Sequence, residues 1–415
     1  MDQLEKVERT PGPALPAKGM VARLGHLTGW AALPVSTRRA IGWGVLVTVL
    51  LAYPFIDTAL RWQTLNAFTD AAIFVILALG LNMVVGYAGL LDLGYAAFFA
   101  IGAYAMGVLT WPPHGIQLDF WVAMLAGIPV AALFGIIIGA PSIRVRGDYL
   151  AIVTLAFGEI IPLTMRNLFD VTIKIGPFVL VENFNLTNGI QGLNPVGRPH
   201  LFGYEFGFTP MPWYFLILAV GALVVFGSKR LEVSRIGRAW MAVREDETAA
   251  ACMGVDPVRT KLLAFALGAS FSSFAGAIYA AKLQAIFPEL FRFQVSIILL
   301  CMVILGGMGS IKGVIAGGIF IMFFDRVVLA QSTQIVRGVG EVLGIAGLQR
   351  VDLQLWRWLF FGLTLIVVML FRPEGLLPSA QRAAELHAAE EAEEKSRRKR
   401  PVENPAAAPG EAPPR

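Results

Sequence analysis

Residues 66–111 read NAFTDAAIFVILALGLNMVVGYAGLLDLGYAAFFAIGAYAMGVLTW, a nearly continuous apolar run broken in its middle by Gly86, Gly89, Asp92 and Gly94. A bilayer crossing needs about 20 apolar residues, so this one stretch is long enough for two. The glycine-rich interruption can instead mark a re-entrant hairpin or a broken helix.

The same texture extends in both directions. Long apolar blocks separated by short polar punctuation divide the chain into about ten crossings, at 41–60, 69–86, 94–111, 120–140, 149–168, 211–227, 262–281, 294–309, 313–330 and 356–371. Of 415 residues, 56% are hydrophobic and only 15% are charged, against roughly 25% charged in a soluble domain. Too few charges remain to cover a globule of this size, so the fold class is an all-α integral membrane protein with the lipid bilayer as its solvent. Cys252 and Cys301 make no disulfide framework or metal spacing, and His26, His114, His200 and His387 are scattered. No cofactor, metal or nucleic-acid partner is expected.

Basic residues set the orientation. The stretch 228–261 carries Lys229, Arg230, Arg235, Arg238, Arg244, Arg259 and Lys261, whereas 112–119 carries none. Retention of Lys and Arg on the cytoplasmic side puts 228–261 inside, 169–210 outside and both termini in the cytoplasm. The expected organisation is an N-terminal extension over 1–40 without a cleavable signal, a membrane domain over 41–372 and a disordered tail over 373–415. That tail ends its Ala/Glu-rich part in a basic run at 397–400.

The two halves echo each other. Gly86-Tyr-Ala-Gly89 with Gly94 and Gly102 has a counterpart in Gly306-Gly307-Met-Gly309 with Gly313, Gly317 and Gly318. Paired glycine-interrupted apolar segments suit a pseudo-symmetric transporter core, and they equally suit close helix–helix contacts.

The stretch 234–261, SRIGRAWMAVREDETAAACMGVDPVRTK, is too polar to span and too helix-prone for a slack loop. With Gly237 ahead of it, Gly254 as C-terminal cap and Pro257 barring continuation, it predicts one helix of roughly four turns near 238–253. An acidic cluster (Glu245, Asp246, Glu247) next to Ala249, Ala250 and Ala251 suits a helix seated in a partner's groove and held by ion pairs.

Here a resemblance enters. Glu247 to Gly254 resembles the EAA-type loop of ABC importer permeases, with one residue's difference in spacing. GRAWMAVREDETAAACMGVDPVRTKLLAFALGASFSSFAGAIYA resembles the LivM-type permeases of branched-chain amino-acid importers more closely. So do GYAGLLDLGYAAFFAIGAYAMG at 86–107, RVRGDYLAIVTLAFGEI at 144–160, MVILGGMGSIKG at 302–313 and FRPEGLLP at 371–378. The similarity covers roughly residues 70–378. The extensions at both ends depart from the family, and Asp92 and Tyr95 stand where members often have Ser and His. The resemblance implies a type II ABC importer-like permease in the cell inner membrane. Its implied partners are a second homologous permease, two ATP-binding subunits and a periplasmic solute-binding protein. It implies ATPase coupling through Arg238, Arg244, Glu247, Ala249, Ala250 and Gly254. The chain has no G-x-x-x-x-G-K-[ST] phosphate loop, so it is not expected to be an enzyme, and energy comes from a partner or an ion gradient.

Three residues are candidates for the translocation path. Glu159 lies about 15 Å into its span at 1.5 Å per residue, where a carboxyl must face protein or water. It can line the path or bond a neighbouring helix. Asp92 can hold the glycine-rich break, and Ser272 can bind solute or bridge helices. Asp325 and Arg326 near a span end suggest mutual pairing. The leading function is import of branched-chain amino acids. The alternatives are a urea or short-amide importer permease and an ion-coupled secondary transporter.

Overall fold

The computed structural model describes residues 35–62, 64–145, 147–175, 178–201, 203–344, 350, 352–372 and 374–377. Most of the N-terminal extension and the tail with its basic run lie outside the described residues. The chain divides into two compact units, Met1–Gln63 and Thr64–Arg415. The described part of the first is helix α1 (Val35–Leu60), with Pro54 inside it.

The second unit is a helical bundle. In chain order its helices are α2 (Leu65–Asn82), α3 (Ala96–Thr110), α4 (Phe120–Ile143), α5 (Asp148–Asn167), α6 (Pro210–Glu232), α7 (Arg235–Glu245), α8 (Glu247–Cys252), α9 (Pro257–Leu283), α10 (Phe293–Gly306), α11 (Ile311–Phe323), α12 (Leu329–Leu343) and α13 (Arg357–Phe371). Among the described residues eight helices are long and apolar enough to cross a membrane. Val47–Leu60 and Ala96–Thr110 are shorter apolar helices. Each of the ten expected crossings falls on one of these helices.

α9 is the central post, and its sequence explains why. Asp256 caps its start by accepting from the amides of Val258 (3.0 Å) and Arg259 (3.1 Å), and Pro257 fills the first turn, where no amide is needed. Its buried face is mostly small: Ala264, Gly268, Ala269, Ser272, Ser273, Ala277 and Ala281. Neighbours therefore approach to backbone distance. A Cβ on Gly102 of α3 would lie 2.5 Å from Ser273 Cα, and one on Gly135 of α4 would lie 2.8 Å from the Phe265 carbonyl oxygen.

Between α2 and α3 the helix breaks, one of the forms the sequence allows. α2 loosens into a π-helical turn, Met83–Tyr87, and residues 88–95 then run irregularly to α3. Such backbone is tolerated inside a membrane protein only where protein buries it; Asp92, Tyr95 and Gly94 are indeed buried here. The second glycine break, 307–310 between α10 and α11, docks against the first. Asn82 Oδ1 accepts from the Gly309 amide at 2.8 Å, and a Cβ on Gly86 would lie 2.6 Å from that nitrogen. The two sequence echoes meet in space.

Three expectations change. The 234–261 stretch forms two helices, α7 and α8, because Asp246 turns extended (φ −150°, ψ 110°). Its carboxylate caps the Thr248 and Ala249 amides at 2.8 and 2.9 Å. Aspartate's preference for capping outcompetes helix continuation. The 169–210 segment, expected as an ordered outer loop or short helix, carries antiparallel strand pairs, β1 (Val171–Ile175) with β2 (Phe178–Phe184) and β3 (His200–Leu201) with β4 (Tyr204–Glu205), as a small addition to the helical membrane fold. The crossing expected to end at 330 continues through a π turn (Phe324–Val328) into α12, giving a continuous helix from Ile311 to Leu343. Its 33 residues span about 50 Å at 1.5 Å per residue, well beyond a ~30 Å hydrocarbon core.

Candidate functional site

α6 leads away from the β hairpins to the end of the bundle where α7 and α8 lie, here called the loop end. α7 starts at Ser234, whose hydroxyl accepts from the Gly237 amide at 3.2 Å. Its sequence looks polar, but Gly237, Trp240 and Val243 are buried at helical spacing. Trp240 is fully buried, its ring stacked on Tyr87 with centroids 6.4 Å apart and planes 3° apart. Its indole N–H donates to the Thr260 carbonyl at 2.8 Å. One turn on, Arg244 Nη1 donates to the Gly86 carbonyl at 2.6 Å. The Gly86 oxygen belongs to the C-terminal turn of the α2 π segment, the negative end of a long helix, where a cation is favoured.

Beyond Asp246, α8 is tethered from beneath. Glu247 Oε2 and Lys261 Nζ are 2.7 Å apart, Ala250 is buried, and the Val255 amide returns to the Ala250 carbonyl at 3.0 Å. Gly254 ends α8 at φ +86°, the left-handed conformation expected of a C-terminal glycine.

The six coupling candidates therefore fall on two faces. Arg244, Glu247 and Ala250 point into this chain. Arg238, Ala249 and Gly254 are exposed, together with Ala251, Cys252 and Met253, the last 85% exposed. Arg238 does reach back to the Val233 carbonyl at 2.9 Å. Sequence reasoning missed Trp240, Tyr87 and Lys261 as anchors and Met253 as the apolar tip. The signal was the spacing of Gly237, Trp240, Val243 and Arg244 on one side of a polar helix.

The three path candidates also separate. Asp92 is buried by this chain. Its Oδ1 accepts from the Gly94 amide at 2.8 Å, and the neighbouring Leu93 amide donates to Thr154 Oγ1 of α5 at 3.0 Å. Ser272 is fully buried on α9, one turn beyond Gly268, whose carbonyl accepts from the Tyr95 hydroxyl at 2.7 Å. Glu159 lies on an exposed face of α5, where its Oε1 accepts from the Phe293 amide at 3.3 Å. That amide opens α10, whose own cap residue, Arg292, offers no side-chain bond.

At the opposite end of the bundle, charges form an alternating chain. Lys282 meets Asp70 at 2.6 Å, Asp70 meets Arg326 at 3.7 Å, and Asp325 meets both Arg326 and Arg357 at 3.7 Å. The chain ties together α2, α9, the α11 extension and α13. The Asp325–Arg326 pairing is the one the sequence suggested.

The chain is 36% identical over 356 residues, 80% of its own length and 73% of the relative's, to the high-affinity branched-chain amino acid transport system permease protein LivM of Escherichia coli (strain K12). It is 35% identical over the same shares to LivM of Salmonella typhimurium. It is 27% identical over 328 residues, 76% of this chain and 94% of the relative, to the permease protein BraD of Pseudomonas aeruginosa. No solved structure matches. Residues 63–369 match the family model for the permease component of the branched-chain amino acid transport system. The chain belongs to that family: it is a multi-pass membrane permease and one component of a transport system with further subunits.

Proposed function

We propose that this chain is the membrane subunit of an ATP-driven importer of branched-chain, hydrophobic amino acids. It forms half of a path completed by a second homologous permease. Of two ATP-binding subunits in the complex, one seats on the exposed side of α7 and α8, and a periplasmic solute-binding protein delivers substrate at the hairpin end. The observation that carries this is the loop end itself. A short helical element, rigidly anchored on one face by Trp240, Arg244 and Glu247, leaves Ala249, Ala251 and Met253 open on the other. Small and apolar residues on a rigid, exposed support suit close seating in a partner's groove. The basic residues at this end favour a cytoplasmic location. Glu159 on an exposed membrane-depth face favours α5 as the side that meets the second permease across the path.

The test is uptake of labelled leucine, isoleucine, valine and urea by cells with and without this chain, its partner subunits present. Loss of branched-chain uptake on deletion supports the proposal. Loss of urea uptake alone identifies the short-amide importer instead. Uptake that persists without the ATP-binding subunits and collapses with the ion gradient overturns ATP coupling.

A further inference from the structure

We infer that Arg244 is the positioning residue that joins the ATPase-facing element to the membrane helices, and that it transmits motion without contacting the ATPase. The inference presupposes the ATP-driven reading above. Arg244 stands on the anchored face of α7, and its guanidinium donates to the Gly86 carbonyl at the end of α2. Its aliphatic stem lies over Gly89, which adopts φ +71°. A Cβ at Gly89 would sit 2.6 Å from Arg244 Cγ and 3.2 Å from Cδ, so no larger residue fits without displacing the arginine.

What Arg244 grips is the place where the two glycine breaks meet, since Gly86 lies against the Gly309 amide that Asn82 holds. From there the backbone leads onward by short contacts. The Leu93 amide is bonded to Thr154 Oγ1, and a Cβ on Gly94 would lie 1.9 Å from the Thr154 carbonyl oxygen. Gly158 packs on the Gly94 backbone, and the next residue, Glu159, holds the first amide of α10. Between Arg244 at one end and Glu159 at the other, every joint in this series is backbone against backbone or a hydrogen bond to a short side chain, which leaves little slack to absorb displacement. Closely packed elements shift between discrete arrangements rather than yielding smoothly. The π turn at Met83–Tyr87 is a natural place for such a shift, because π segments recur at functional sites inside helices. A displacement of α7 therefore reaches α2, the breaks, α5 and α10 through Arg244, while the ATPase seat is on the other face.

The experiment uses the assembled transporter in lipid vesicles, with the unsubstituted chain, Arg244→Gln, Arg244→Lys and Gly89→Ala. The readouts are ATPase co-purification, basal ATP hydrolysis, and amino acids imported per ATP hydrolysed. Arg244→Gln is expected to keep co-purification and basal hydrolysis while import per ATP falls about tenfold, the factor expected for losing a charge-assisted hydrogen bond. Arg244→Lys, which keeps the cation, recovers part of that loss, and Gly89→Ala reproduces it with the arginine present. Unchanged import per ATP in Arg244→Gln overturns the inference. So does loss of ATPase co-purification in Arg244→Gln and Arg244→Lys alike, which would make Arg244 part of the seat. An unsubstituted complex without ATP-dependent import overturns the transporter reading itself, a result distinguishable from both.

Discussion

Among the crossing-length helices of the described residues, α5 and α13 are the two that the rest of this chain covers least. Their exposed faces differ in one respect: α5 alone carries a carboxyl and a small residue within its apolar stripe. Along α13 the outward residues include Leu359, Leu363, Ile366 and Leu370, and only Phe361 is buried among the described residues. Along α5 the outward stripe is Tyr149, Ile152, Ala156, Glu159, Ile160 and Leu163. Bulky aliphatic side chains are matched by acyl chains. A carboxyl at membrane depth is not, and small residues such as Ala156 mark close helix approach. The difference separates two kinds of exposure that hydropathy alone merges. In the proposed assembly α13 faces lipid, and α5 faces the second permease and the shared path.

The largest test of this contrast places a new carboxylate on each face. Leu363→Asp should cost about 2.5–3.5 kcal/mol in membrane insertion, the penalty for an aspartate at the centre of a lipid-facing helix. Ile160→Asp, beside Glu159, should cost clearly less once the partner permease is co-expressed. Glycosylation-reporter insertion for the segments and inserted yield for the full chain measure both. Equal penalties at the two positions would break the comparison.

A smaller effect follows from size. Ala156→Trp should disturb a close protein contact by roughly 1–3 kcal/mol of overpacking and weaken co-purification of the second permease. Leu363→Trp, facing lipid, should leave co-purification unchanged. Retention of the partner in both variants would remove α5 from the subunit contact, and loss in both would point to general misfolding.

The contrast also explains which parts of the fold are legible in the sequence. The ten apolar blocks each land on a helix because the bilayer fixes both length and composition of a crossing. Hydropathy fails where the structure leaves that regime. The sequence QSTQIVRGVGEVL is helical without being apolar, so the end of the long helix beyond Leu329 escaped notice. VTIKI and FVLVENF pair as antiparallel strands, for which their Val, Ile and Phe residues are the available signal. Asp246 was grouped with its acidic neighbours, yet its role is a cap, decided by the amides two and three residues on. Tertiary partners were beyond reach. That Glu247 meets Lys261, that Arg244 reaches Gly86, and that Lys282 continues a charge chain to Arg357 depend on which helices adjoin.

Glu159 itself gives the smallest and sharpest change. Its Oε1 completes the start of α10 by accepting from Phe293 at 3.3 Å, a long bond between two helices. Glu159→Gln keeps an oxygen at that amide and nearly the same volume, so stability in lipid nanodiscs should stay within about 0.5 kcal/mol, well under a typical hydrogen bond's contribution. Glu159→Leu removes the acceptor, and losing a cap of this kind costs about 0.5–2 kcal/mol. A Leu side chain also relieves the expense of a carboxyl at this depth, which offsets part of that cost. Stability alone therefore separates the two variants only weakly, and transport must decide. If the charge lines the path, both variants should slow uptake severalfold with the complex still assembled, because both remove it. If the oxygen merely caps α10, Gln should transport normally and Leu should lose only in proportion to its stability. Uptake at the unsubstituted rate in Glu159→Leu would remove Glu159 from the path and leave α5 as a packing surface.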